Sequence, residues 1–284
     1  MKVHALILIT LLGTMLNIAA AAEPPLSNLE KTSAAHLTRL RSVRLWWNEQ
    51  NRIIGASFKG IDANDRSLGL VGNLPLLESL VIVSLPQNSL TNNSLAILQR
   101  LPNLTLLSIS GSSIDDEGLV HLRHAQNLEA GLVLNGPFTD RGLQYLEGMN
   151  KLKMLDLTQN PITDQGLQIV AALPALETLI LNGTPITNDG IAILAQMKGL
   201  QDLYLMDCDI DDGAIPYFKQ LTSLKTLVIT NTKISAAGAL DAATAVSDEG
   251  EVLHQSNPKS RPGTRRGADD YQARDSRPIR AAAR

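Results

Sequence analysis

The chain has 284 residues, a formal net charge of −3, aromatics at only 3% and a single cysteine, Cys208. A balance this close to neutral argues against bulk nucleic-acid binding, which needs a basic footprint. One cysteine excludes an internal disulfide and a cysteine-based zinc site.

The chain opens with Met1-Lys2, an apolar run from Ala5 to Ile18, and Ala19-Ala20-Ala21-Ala22-Glu23-Pro24. This order reads as an export signal over residues 1–22, with small-residue cleavage after Ala22. The alternative is an uncleaved anchor, but the apolar run is shorter than the ~20 residues that span a bilayer. No cysteine follows the run, which excludes a lipoprotein anchor. No later segment is long and apolar enough to span. The expectation is a soluble mature chain, exported to a periplasm, a cell surface or the medium, with no integral membrane segment.

Residues 23–50 read as an N-terminal helical cap. Ser33 is the expected N-cap, and Ala34, Ala35, Leu37, Leu40 and Val43 follow as an apolar face. Solenoids need such caps because their terminal repeats otherwise expose core. Trp46 and Trp47 are read as packing into this cap, the alternative being an exposed aromatic contact.

From there a 24-residue period takes over. Leu104, Leu128, Leu152, Leu176, Leu200 and Leu224 are equally spaced, and each opens an L-x-x-L-x-L-x-x-N/T/C-x-I segment. Leu77 opens a unit three residues longer, and Ile53 a degenerate one, giving about eight repeats over residues 51–243. In the clearest unit Leu152, Leu155 and Leu157 alternate as a strand with inward leucines. Asn160 turns the chain, a place taken later by Thr184, Cys208 and Thr232. Thr163 and Asp164 read as the cap of a short helix, with Asp164 favourable at its positive end. Leu167, Val170 and Leu173 follow at helical spacing. Ile162-Thr163-Asp164-Gln165-Gly166-Leu167 recurs as Ile114–Leu119, Phe138–Leu143 and Ile186–Ile191.

A fixed period of 20–29 residues with this pattern marks a solenoid. The chain resembles leucine-rich repeat proteins of the ribonuclease-inhibitor-like group, near the cysteine-containing subclass, and most of all exported bacterial forms carrying I-T-D-x-G-L. The resemblance covers about two thirds of the chain. It implies an α/β fold, a curved solenoid with short parallel strands on the concave face and short helices on the convex face. It carries little about function, because the scaffold serves many partners.

Beyond Asp241 the pattern fails. Residues 244–284 mix Pro and Gly with many arginines and read as a disordered basic tail. Its expected role is a solvated linker, the alternative being electrostatic adhesion to an anionic surface.

The register places alternate strand residues on the concave side. Val81, Asp156, Ile180, Tyr204 and Val228 share a central column, with Met154 and Asp202 on one flank and Met206 on the other. These eight are the candidate partner-binding residues, and Val81, Ile180, Tyr204, Met206 and Val228 are expected to form an open apolar surface. The competing reading is that Val, Ile and Thr here only follow strand propensity. Tyr204 and Met206 beside Asp202 and Asp207 have the mixed character of an interface anchor. The Leu128 repeat is ambiguous. Strict register turns Leu132 and Leu134 outward; a one-residue shift, absorbed by a bulge near Gly131, buries both. Burial of a leucine is worth ~1.5–3 kcal/mol, which favours the shift.

Chemistry is thin elsewhere. Asp207-Cys208-Asp209-Ile210-Asp211-Asp212-Gly213 alternates like a calcium loop. However, its glycine comes one place late and Phe218 stands where a bidentate glutamate belongs. An inward Cys208 and Ile210 explain the alternation without metal. His121 and His124 fit a solvated helix face. There is no G-x-S-x-G, P-loop or dinucleotide fingerprint. Asn92, Asn103 and Asn182 begin glycosylation-type sequons. No catalytic residue, metal or cofactor is expected. The leading expectation is a non-catalytic exported module that recognises a protein (or glycan) partner on its concave face. A structural or adhesive protein acting through tail or end repeats is the alternative. An adaptor similar to F-box leucine-rich repeat proteins follows behind, lacking an F-box-like N-terminal domain.

Overall fold

The computed structural model describes residues 26–59, 64–83, 90–111, 113–246, 250–254 and the backbone of 279–280. The expected export signal lies outside the described residues.

The period-24 leucines turn inward, as period-2 alternation requires. Leu104, Leu128, Leu152, Leu176, Leu200 and Leu224 are all 2% exposed or less. Each leads into a short strand. After an antiparallel first strand β1 (Val43–Trp47), nine strands stack in parallel. These are β2 (Ile53–Lys59), β3 (Ser79–Val83), β4 (Leu106–Ser110), β5 (Gly131–Asn135), β6 (Met154–Asp156), β7 (Thr178–Ile180), β8 (Asp202–Tyr204), β9 (Thr226–Val228) and β10 (Glu251–Leu253). A last short strand, β11 (Ile279–Arg280), runs antiparallel to β10. The strands pair in chain order, and one continuous core of Leu, Ile, Val and Phe lies between them and the short helices that return the chain. After the strand, several repeats place Gly111, Gln159, Gly183, Asp207 or Asn231 at φ near +60°. Glycine, Asn and Asp tolerate that left-handed turn best.

The N-terminal helix α1 (Asn28–Leu37) starts earlier than its apolar pattern suggested. Its N-cap is Ser27, not Ser33. Ser27 and Glu30 form a capping box, with Ser27 N–H donating to Glu30 Oε2 at 2.7 Å and Glu30 N–H to Ser27 Oγ at 3.2 Å. Such a reciprocal pair satisfies two otherwise orphaned donors. Ser33 is instead buried inside the helix and accepts from Asn73 Nδ2 at 2.9 Å. Val43 belongs to β1, not to the helix. Arg52 anchors the cap by an ion pair to Glu30 at 2.8 Å, with both side chains under 10% exposed. The two tryptophans divide. Trp46 lies over Gly55, where an added Cβ would meet its Cε3 at 2.7 Å, whereas Trp47 is 44% exposed.

The Leu128 repeat adopts the shifted register. Leu132 pairs with Leu107 and Leu155, Leu134 pairs with Ile109, and both leucines are fully buried. The shift begins in a bulge where Glu129, Ala130 and Gly131 all direct their N–H to Thr105 O at 3.0–3.3 Å. It ends where Asn160 of the next repeat reaches back, donating to Leu134 O at 2.6 Å and accepting from Gly136 and Phe138 N–H. Gly131 and Val133 therefore replace Ala130 and Leu132 on the concave side.

The sheet also runs one strand beyond the boundary at 243. β10 pairs with β9 one residue out of the 24-residue period, Glu251 opposite Thr226. It has no opening leucine, and its inward residue Val252 alone reaches the core, at 1% exposure. Residues 247–249, 255–278 and 281–284 of the expected tail lie outside the described residues.

Candidate partner-binding face and the repeat clasps

The central concave column reads Ser57, Val81, Ser108, Val133, Asp156, Ile180, Tyr204, Val228 and Leu253 in register. Only part of it is an open surface. Val81, Met154, Asp156, Ile180 and Val228 are all 5% exposed or less, which corrects the expectation of an exposed apolar column. Neighbouring strands lie about 4.8 Å apart, so each side chain is shouldered by its column neighbours and by the flanking columns. Met154 shows how. Its Cε lies 2.7 Å from where a Gly131 Cβ would stand, so it folds sideways over the glycine instead of projecting outward. Asp156 turns its carboxylate onto the Thr158 N–H at 2.9 Å.

The three remaining candidates sit together and stay partly exposed. Asp202 and Tyr204 are the first and last residues of β8, and Met206 follows it. Asp202 Oδ2 accepts from Thr178 Oγ1 at 3.1 Å. The Met206 N–H donates to Asn182 Oδ1 at 2.9 Å. The Tyr204 hydroxyl has its pKa pushed up by burial and by the negative charges of Asp202 and Glu251. Half-buried Leu253 shares the column two strands on. Of the eight, these three are thus the partly exposed ones, and they lie near the C-terminal end of the sheet.

A second constellation lies at the other end of each repeat, and sequence reading assigned it too locally. The aspartate of Thr-Asp-x-Gly-Leu does not serve its own helix. It grips the next repeat, accepting from both the N–H and the hydroxyl of the residue 23 positions on. Asp140 takes Thr163 N–H at 2.8 Å and Thr163 Oγ1 at 2.5 Å; Asp164 takes Thr187 at 2.9 and 2.7 Å. Asp116 holds Thr139 and Asp212 holds Ser235 in the same way, and Asp65 holds Thr91 across the longer repeat, 26 positions on. The threonine's own cap role survives in part, as Thr187 Oγ1 still accepts from Asp189 N–H at 3.2 Å. The motif glycine follows from this grip. A Cβ on Gly142, Gly166, Gly190 or Gly238 would collide with the clasping carboxylate of the previous repeat.

Two clasps are inverted in a matched way. Asp115 and Asp211 stand where other repeats have Thr, and the residues gripping them are Asn92 and Asn188. Each Asn accepts the backbone N–H of the next repeat and donates its own amide to the carboxylate, at 2.8 Å for Asn92 and 2.6 Å for Asn188. Two facing carboxylates would repel when both are ionised. The amide removes that conflict, and it holds the Asp211 carboxyl below its ordinary value, together with the Gly213 N–H.

The clasps also account for half of the aspartate-rich segment, and other contacts between repeats for the rest. Asp207 accepts from Asn231, Asp209 pairs with Lys233, Asp211 is held by Asn188, and Asp212 clasps Ser235. The four carboxylates are thus taken up by separate partners. Between them Cys208 is buried, its Sγ 3.2 Å from Leu181 O, and burial pushes its thiol pKa up to about 11. His121 and His124 lie on the short helix Gly118–His124. Burial, Arg123 and His124 lower the His121 pKa, and Arg123 Nε donates to His124. Of the three sequons, Asn182 is 5% exposed with its Oδ1 engaged.

A model of the leucine-rich repeat family matches residues 100–122 and 148–171. The parallel one-strand-per-repeat sheet and its leucine core extend the same unit on both sides of those matches. The chain is a leucine-rich repeat solenoid. Among the 248 solved chains that match is internalin C2 of Listeria monocytogenes. It has a TM-score of 0.55 and 17% identity, and the match covers 84% of this chain and 100% of that one. At that identity the likeness concerns the fold. No curated protein matches the chain. Among the described residues, no helix of this solenoid is long and apolar enough to cross a membrane.

Proposed function

We propose that this solenoid is an exported, non-catalytic recognition module that binds a protein partner on the C-terminal part of its concave face. The observation that carries the reading is the cluster of Asp202, Tyr204 and Met206. They remain partly exposed, whereas Val81, Met154, Asp156, Ile180 and Val228 are buried, and Ile180 and Val228 flank Tyr204 on the neighbouring strands. An amphipathic aromatic beside an acidic group and a flexible thioether has the composition of an interface anchor. Rigid strands hold these side chains at fixed spacing, so little ordering cost falls on this side of a complex. The buried residues of the column act as its floor.

The test is site-specific photocrosslinking in producing cells. The full chain carries a benzophenone amino acid at position 204 or, as a convex control, at exposed Arg141. Discrete protein adducts are expected at position 204 and not at 141. Equal labelling at both positions, or none at 204, would sink the reading. N-terminal sequencing of the secreted product, expected to begin at Glu23, tests export separately.

A further inference from the structure

Both ends of the parallel sheet are closed by antiparallel strands, and the two closures differ in strength. At the N-terminal end β1 pairs with β2 over five residues, backed by α1 and the Arg52–Glu30 ion pair. At the other end β11 pairs with β10 over two residues, Ile279 opposite Val252 and Arg280 opposite Glu251. β10 is a true coil of the solenoid, with Val252 in the core. Its inner edge is used. Glu251 N–H donates to Lys225 O, and Leu253 O accepts from Ile229 N–H. Backbone groups alternate along a strand, so Val252 turns its N–H and C=O to the outer edge, opposite Ile279.

That edge is not prepared for another repeat. The clasp series stops at Ser235, because Ala236 stands where the gripping Asp or Asn would be. The charges also favour a basic strand there. Glu251 lies two strands from Asp202 in the same column, with Thr226 between them, while residues 255–284 hold eight Lys and Arg against three Asp. An unpaired strand edge attracts any extended chain.

We propose that the outer edge of β10 is a strand-binding site whose resident occupant is the chain's own C-terminal segment around Ile279–Arg280, acting as a releasable end-cap of the solenoid. The cap keeps the edge from pairing with a second copy. It is held by few hydrogen bonds and by charge, so it yields where β1 does not. This inference stands on the β10 edge and does not depend on what the Tyr204 patch binds.

The test reads the Val252 amide by hydrogen exchange in the full chain, in a chain ending at Arg277, and in full-length Ile279→Pro, which removes the strand N–H with the least other change. In both variants Val252 exchange is expected to rise about tenfold while Leu179 and Leu203 amides stay protected. Light scattering is expected to show a monomeric full chain and concentration-dependent association of the shortened one. Adding a peptide of residues 275–284 in trans is expected to restore protection at low salt and to lose it at high salt. Val252 exchange that is the same in all three chains overturns the proposal. So does a full chain whose Val252 protection disappears on dilution, since the occupant would then be a second copy. If the shortened chain unfolds, Ile279→Pro still reads the same amide.

Discussion

The two margins of each strand are built on opposite rules. On the turn side, the clasps repeat one solution from coil to coil: a carboxylate or amide, a hydroxyl or carboxylate one repeat on, and in most coils a glycine that lets them meet. On the concave side no two coils carry the same triplet of residues. Repetition therefore marks what holds the stack together, and departure from repetition marks what the stack is free to present. The same distinction separates the two aspartate groups around β8. Asp211 and Asp212 belong to the clasps, whereas Asp202 faces the open patch.

The largest effect that would break this comparison lies in a glycine. Gly166→Ala places a methyl against the Asp140 carboxylate, so either the clasp on Thr163 opens or two coils move apart. Overpacking and the loss of charge-assisted bonds together predict a destabilisation of about 2–4 kcal/mol, read by urea unfolding. Gly183→Ala is a different case, strained by φ +68° with no clasping carboxylate nearby, and it separates backbone strain from collision. If Gly166→Ala is neutral, the clasps do not set the packing of the coils.

A smaller effect tests the matched inversion. Asn188→Asp faces a carboxylate with Asp211 and removes the amide donor, so the melting temperature is expected to fall, more at low salt than at high salt. Adding Asp211→Thr should restore it by recreating the ordinary Asp–Thr pair. A double variant no better than the single one would mean that the two positions do not speak to each other.

Acid probes the same margin more gently. Burial alone would raise Asp65, but hydrogen bonds from Ser94 and Thr91 outweigh it and leave its pKa below the ordinary 3.8. Asp211 is lowered too, and so is Glu30, where bonds from Ser27 and Arg52 overcome desolvation. Groups with lowered folded pKa stabilise the fold fully above their unfolded values. They lose that contribution as pH falls through the folded ones. Melts between pH 6 and 2 should therefore decline gently down to about pH 4.5, as His121 with its lowered pKa takes up a proton, and more steeply below it, as the carboxylates do. A profile with no steepening below about pH 4.5 would mean that these carboxylate bonds do not stabilise the fold.

Much of the stacking was legible in the sequence because it depends on counting. The leucine period located the strands, and the cost of two exposed leucines in the Leu128 repeat pointed to the shifted register. The clasps were not read, because an aspartate beside a threonine suggests the nearest helix end, and its true partner is 23 residues away. A signal was present. Asn occurs at the gripping position only where Asp occurs at the gripped one, at Asn92 with Asp115 and Asn188 with Asp211. The burial of Val81, Ile180 and Val228 could not be read from alternation, which gives the face a residue occupies but not how closely its lateral neighbours crowd it. β10 was missed because Glu251-Val252-Leu253 contributes a single inward side chain and no leucine before it.

The smallest effect on stability is expected at Tyr204, and that smallness is what the comparison requires. The side chain is half-buried on the concave side and takes no part in a clasp. Tyr204→Ala should cost less than about 1 kcal/mol by urea unfolding, since only part of its area leaves contact. Ile180→Ala, one strand away in the same column but 1% exposed, should cost about 2–4 kcal/mol as a buried large-to-small change. The pair separates floor from surface. If both variants lose stability equally, Tyr204 is core and the patch is closed. If Tyr204→Ala folds as well as the parent, its ring is kept for something outside the chain.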